Sequence, residues 1–243
     1  MYFLARIDGR ENDELRSIKV EGYPNFIKYP RGSVLISMGN TRVLCNASVL
    51  ERVPPFLRDR GQGWLTAEYN MLPASTHTRR EREGRRGGHI SGRTQEISRM
   101  IGRSLRGVVD LKKLGERSVY MDCEVLQADG GTRCASICGA FIALRAAMNS
   151  LLEDKIILED PINENIGAVS LGNINGELLL DLNYEEDSKA DVDLNVIMTE
   201  SKKIIEIQGT AEHEPFSVDN LNAMVELAFK GISKIIEMQK SIV

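Results

Sequence analysis

Residues 117–152 read RSVYMDCEVLQADGGTRCASICGAFIALRAAMNSLL, and the stretch changes character halfway along. The first eleven residues, RSVYMDCEVLQ, read as one long strand rich in β-branched and aromatic side chains. From about residue 134 to 152 the apolar positions Ile137, Phe141, Leu144, Met148 and Leu151 keep helical spacing. Between strand and helix stand Gly130, Gly131, Thr132 and Arg133. The arginine is the unexpected residue, because a helix start carries partial positive charge and a cation there is slightly unfavourable.

Working outward, residues 32–49 predict two strands joined around Gly39-Asn40, and a further strand is expected at 63–71. A helix is predicted over about 93–108, with Ile97, Ile101, Leu105 and Val108 on one face and Arg99, Arg103 and Arg106 on another. The intervening REREGRRGGHISG is too polar and glycine-rich for an element of its own and reads as a mobile loop. Strands are expected at 166–173, 176–184, 192–198 and 203–208, with Asn175-Gly176 marking one hairpin. A last helix is expected from a capping Ser217 to near Lys240. No linker, repeat or low-complexity tract divides the chain. The expectation is one mixed α/β (α+β) domain over residues 1–243, its sheets built from hairpins and covered by about three main helices.

Composition narrows the function classes. A chain of 243 residues with 42% hydrophobic content supports a substantial core. Consecutive apolar residues nowhere run to the length of a membrane span, and MYFLARIDGR lacks the pattern of a signal peptide. Cys45, Cys123, Cys134 and Cys138 lack the spacing of a disulfide framework and have no histidines to complete a zinc set, so buried thiols in a reducing cytoplasm are expected. The net charge of −4 hides a segregation. Between residues 79 and 106 nine arginines face three glutamates, while residues 185–193 hold five carboxylates against one lysine. A basic tract and an acidic cluster in one chain suggest capture of a polyanion beside a metal or acid–base centre.

Two helix starts carry the chemistry. Glycines bring backbone N–H groups close to a ligand, Thr132 adds a hydroxyl, and Arg133 adds a fork of donors suited to phosphate oxygens. Ser91-Gly92-Arg93-Thr94 repeats the arrangement at the other helix, so the two arginines are candidates to share one anion. In ADVDLNV, residues 190–196, alternation places Asp191, Asp193 and Asn195 on one strand face, with Asp187 just before at the end of the preceding strand pattern. Carboxylates beside a phosphate-bearing substrate are the usual way to hold Mg²⁺. His77 is open to three readings: a base, a phosphate contact or a surface histidine.

Four stretches, GQGWLTAEYNMLPASTHTR (61–79), SGRTQEISRMIGRSLR (91–106), VLQADGGTRCASICGA (125–140) and IIEIQGTAEHEPFS (204–217), together resemble the bacterial ribonuclease PH family, and IDGRENDELR (7–16) is similar to its start. The resemblance runs from about residue 6 to 240. It implies a phosphorolytic 3′-to-5′ exoribonuclease, a tRNA nucleotidyltransferase. Inorganic phosphate attacks the last phosphodiester of a tRNA precursor or other structured RNA 3′ end and releases a nucleoside diphosphate. The family's phosphate-binding residues correspond to Arg93, Gly131, Thr132 and Arg133. Its metal and acid–base carboxylates correspond to Asp187 and Asp193, with Mg²⁺ or Mn²⁺ as the implied ion. Its tRNA-holding arginines match Arg79 and Arg82, and Arg58 is placed with them. The implied assembly is a homo-oligomeric ring, a hexamer made as a trimer of dimers, in the cytoplasm. The alternative is a non-catalytic RNA-binding subunit of an exosome-like ring. Two departures stand out. Gly87-Gly88-His89-Ile90-Ser91 replaces a shorter run before Arg93, and Glu81 and Glu83 lower the charge among the tRNA-facing arginines.

Overall fold

The computed structural model describes residues 6–84 and 89–243. The glycine- and arginine-rich loop expected before the first long helix therefore lies partly outside the described residues, as do Gly87 and Gly88 of the altered run.

Two sheets face each other across one long helix. The first sheet takes β1 (Ile18–Glu21), β2 (Gly32–Met38), β3 (Thr41–Leu50), β4 (Trp64–Met71) and β5 (Ser118–Gln127) in the order β1-β2-β3-β5-β4. Its pairs are antiparallel except β4 with β5, because α1 (Gly92–Arg106) and the short α2 (Leu111–Leu114) carry the chain across between them. The second sheet is antiparallel throughout, in the order β7-β6-β8-β9, from β6 (Ile166–Ile174), β7 (Glu177–Leu180), β8 (Val192–Thr199) and β9 (Ile204–Ala211). Between the sheets runs α3 (Thr132–Glu153), a four-residue α4 (Tyr184–Asp187) follows β7, and α5 (Val218–Ile242) covers β6.

The period of α3 explains its place. Ile137, Phe141, Leu144 and Met148 are fully buried, and so are Ala135, Cys138 and Ala143 on its other sides. A helix apolar all round has to be enclosed. By length and composition α3 would also suffice to cross a membrane. Run length concealed this, because Arg145 and Asn149 interrupt the apolar residues. Here β2 and β3 pack on one side and β6 on the other, in a single continuous core.

Most elements match the sequence expectation; β1 and the short α2 are additions to it, and the segment before β8 departs from it. The strand expected at 176–184 ends at Leu180, and Asp187 closes α4 instead of a strand. The cause is local: Asn183 accepts the Glu186 N–H at 3.0 Å, while the Glu186 carboxylate accepts the Asn183 N–H at 3.0 Å. That reciprocal capping box nucleates a helical turn. Asp191 lies outside β8, where its carboxylate accepts the Asn175 N–H at 2.9 Å and braces the hairpin turn.

Candidate active site

The start of α3 is exceptional among the long helices. Ser91 caps α1 by accepting the Thr94 N–H at 3.2 Å, and Ser217 caps α5 by accepting the Asn220 N–H at 3.1 Å. At α3 the capping position is Gly131, with no side chain to accept. Its first N–H groups are thus left for a ligand. Gly130 and Gly131 both hold positive φ, at 73° and 63°. A Cβ at Gly130 would stand 2.5 Å from the Leu182 carbonyl oxygen, so only glycine allows this approach.

Around that helix start the fold gathers residues far apart in sequence. Arg93, Gly131, Thr132, Arg133, Asp187 and Asp193 all line one cavity of about 360 Å³. Thr132 is buried, and its hydroxyl lies 2.9 Å from the hydroxyl of buried Tyr69 on β4. Arg133 donates to Gln208 Oε1 on β9 at 2.6 Å. Register explains the floor. Asp193 on β8 stands opposite Gly172 on β6, and Asn195 stands opposite Ser170, so all four share one sheet face.

The acidic side is held from behind by buried ion pairs. Arg6 grips Glu186 through two hydrogen bonds of 2.8 and 2.7 Å, fixing α4. Arg16 binds Asp181 at 2.7 Å and also donates to the Asp129 carbonyl, tying the strand end before α4 to the turn before α3. Such pairs contribute little net stability but are costly to break singly. Their visible effect is to fix where Asp187 stands.

Both carboxyls are pushed above their ordinary value. Burial pushes the Asp187 carboxyl up, an effect that Arg133 and then Arg93 partly offset. The side chain keeps an exposed edge, yet it sits within the concavity. Burial, and next the Asp187 charge, push Asp193 up to about 6, against a downward pull from Arg133. A carboxyl raised further by its neighbour's charge, with two guanidinium groups lining the same cavity, places both signs of charge around one space.

At the other helix start Glu83 supplies the carboxylate that α1 lacks in its own first turn. It accepts from the Ser91 N–H at 3.0 Å, the Ser91 hydroxyl at 2.9 Å and the Thr94 hydroxyl at 3.1 Å. Burial raises its carboxyl, but the Ser91 and Thr94 hydrogen bonds prevail and bring it below the ordinary value. Glu83 therefore does more than dilute a basic tract. With α1 capped, Arg93 meets the cavity by its side chain, where a guanidinium nitrogen lies 3.6 Å from the Met71 sulfur.

The remaining expectations divide. His77 is exposed and lines the cavity, its ring 5.7 Å from that of Tyr184. Arg58, Arg79 and Arg82 are exposed and lie outside the cavity lining. Arg103 is occupied by Glu206 through bonds of 2.8 and 2.7 Å, and Arg106 donates to the Leu65 carbonyl at 2.9 Å. Sequence reasoning passed over Tyr184, Ser170 and Arg80, which also line the cavity. The buried Ser170 hydroxyl has no hydrogen-bond partner among the described residues. Tyr184, a neighbour of the acidic cluster, and Arg80, within the arginine tract, carried signals that pointed there, whereas Ser170 carried none.

With this geometry in place, comparison with known proteins gives the class. The profile of domain 1 of the 3′ exoribonuclease family matches residues 14–148, and that of domain 2 matches residues 164–231. The chain belongs to this 3′ exoribonuclease family. Among its relatives, ribonuclease PH of Neisseria meningitidis (serogroup C, strain FAM18) is 57% identical over 232 residues, 96% of this chain and 95% of the relative. Ribonuclease PH of Bacillus subtilis is 56% identical over 239 residues, 98% and 96% respectively. Among solved structures, the Archaeoglobus fulgidus exosome with RNA bound to the active site superposes with a TM-score of 0.78 at 25% identity, covering 97% of this chain and 92% of that one. Rice Rrp46 shares the fold, with a TM-score of 0.77 at 18% identity over 97% and 98% of the two chains.

Proposed function

We propose that this chain is a phosphorolytic 3′-to-5′ exoribonuclease that trims tRNA precursors and other structured RNA 3′ ends, with inorganic phosphate as co-substrate. The observation that carries this is the uncapped start of α3, flanked in one cavity by Arg93 and Arg133 and faced by Asp187 and Asp193. Beyond the seat for the scissile phosphate, a water nucleophile would need no second anion seat.

In the forward reaction a phosphate oxygen attacks the phosphorus of the last phosphodiester. The bond to the 3′-oxygen of the preceding nucleotide breaks, that oxygen takes up a proton, and the terminal nucleotide leaves as its diphosphate. Arg93, Thr132, Arg133 and the N–H groups after Gly131 hold the phosphate in line and stabilise the charge that spreads over the transferring group. Asp187 and Asp193 suit a divalent cation, because burial raises both carboxyls and the Asp187 charge raises Asp193 further, so a positive charge beside them is favoured. An ion such as Mg²⁺ takes one or two protein carboxylates and completes its shell with water and substrate. Mg²⁺ or Mn²⁺ held there would neutralise charge at the leaving 3′-oxygen. Arg93 presents a full charge to the same cavity and counts with these two as catalytic.

Arg58, Arg79 and Arg82 guide the RNA from outside the cavity. Changing Arg79 and Arg82 together to alanine should weaken tRNA binding and reduce the slope of log affinity against log salt by about 2. Binding titrations at several salt concentrations check this, and an unchanged slope would remove them from the RNA path. The likeness to the Archaeoglobus fulgidus exosome supports a ring, a trimer of dimers in which one subunit's arginines serve another's substrate. The continuous core supports reading residues 1–243 as one unit. Four unpaired, buried cysteines support a cytoplasmic location.

The reverse reaction tests the proposal. Given excess nucleoside diphosphate and a short RNA, the enzyme should lengthen the RNA and release inorganic phosphate. A hydrolytic nuclease, or a non-catalytic ring subunit, does neither.

A further inference from the structure

We propose that Gln208 is a positioning residue for the phosphate co-substrate, acting through Arg133. The inference rests on the reading of this cavity as the phosphate site. Gln208 stands on β9 opposite Asn195 of β8, which stands opposite Ser170 of β6. The three form a cross-strand row on the face that carries Asp193.

Gln208 links two charged side chains that do not meet directly. Its Oε1 accepts from Arg133 Nη1 at 2.6 Å, and its Nε2 donates to the carboxylate of Glu96. The partners fix the amide's orientation, since a guanidinium only donates and an ionised carboxylate only accepts. A glutamine supplies an acceptor on one side and a donor on the other without adding charge. Glu96 sits on α1 one turn beyond Arg93, so the relay connects the elements carrying the two arginines. Arg103 and Glu206 make a second tie between α1 and β9.

Two consequences follow for the anion. Arg133 is anchored by one nitrogen, and this is its only side-chain hydrogen bond among the described residues. The rest of its fork stays available for bidentate contact with phosphate. The amide also keeps Glu96 at one remove. A carboxylate directly on Arg133 would compete with phosphate for the same donors, whereas a neutral spacer orients the guanidinium and leaves its charge unmatched.

The test compares Gln208→Ala, Gln208→Glu, Arg133→Ala and the Gln208→Ala/Arg133→Ala double variant, with thermal midpoints confirming that each folds. Gln208→Ala should raise KM for phosphate about tenfold, a usual size for coupling between contacting polar residues, without raising KM for RNA. Gln208→Glu should raise it further, because the introduced carboxylate pairs with Arg133. The double variant should be no worse than Arg133→Ala alone. Unchanged phosphate KM in both Gln208 variants, or multiplied effects in the double variant, would overturn the assignment while leaving the phosphate site intact if Arg133→Ala still raises that KM. An Arg133→Ala protein with unchanged phosphate KM would overturn both this inference and the site beneath it.

Discussion

Asp193→Ala should lower nucleotide release by roughly a thousandfold or more, the scale expected when a group that stabilises transition-state charge is lost. The loss should come without unfolding. Asp193 is a carboxylate whose environment disfavours its charge: burial and the neighbouring Asp187 push it up to about 6 from an ordinary 3.8. A carboxyl raised in the folded state opposes folding once it must ionise, so its unfavourable contribution grows as pH rises from about 4 through about 6. Removing it should leave the thermal midpoint at neutral pH unchanged or higher. An inactive variant with a lowered midpoint would point to a structural role instead. The same sign gives the wild-type protein an acid limb near pH 6 at limiting metal, where the proton displaces the cation. That limb should move to lower pH as metal concentration rises, because metal and proton compete for one carboxylate. An acid limb that ignores metal concentration would separate Asp193 from the metal.

Arg133→Ala carries the second large effect, a rise of roughly a hundredfold to a thousandfold in KM for phosphate, with RNA binding unchanged. The reasoning is geometric. α3 offers N–H groups without a side-chain cap, and Arg133 sits in its first turn beside them. Arg133 also draws down both Asp187 and Asp193, so its charge is felt across the cavity. Arg133→Lys should recover only part of the loss, because an ammonium group is a point charge and cannot reproduce the planar fork. Initial rates against phosphate at saturating RNA, together with RNA affinity measured separately, distinguish this from general damage. Equal losses toward phosphate and RNA would contradict the assignment.

How much of this was legible in the chain depends on the range of the interaction. The switch from strand to helix through Gly130 and Gly131 was readable because period and turn chemistry are local. So was the anomaly of arginines at two helix starts. The capping of α1 by Glu83 was not, since a loop carboxylate eight residues before Ser91 reads only as one charge among many. The turn of helix ending at Asp187 was misread as strand because its apolar neighbours Leu178, Leu179 and Leu180 dominated the pattern. Asn183 and Glu186 held the signal, in the three-residue spacing of a capping box. Convergence itself lay beyond reach of periodicity. Arg93 and Asp193 are a hundred residues apart, and only the packing of α1 against β4 and α3, with the pairing of β6, β8 and β9, brings them to one cavity. The resemblance named the residues; register and packing account for their meeting.

The central claim is that inorganic phosphate, seated at the start of α3, is the attacking group. Incubation with RNA, Mg²⁺ and ¹⁸O-labelled inorganic phosphate, followed by mass spectrometry of the released nucleotides, tests it directly. Phosphorolysis gives nucleoside diphosphates with the label in the β-phosphate, and no release when phosphate is withheld. Unlabelled nucleoside monophosphates, released whether or not phosphate is present, would show that water attacks and that the cavity beside Arg93 and Arg133 serves another purpose.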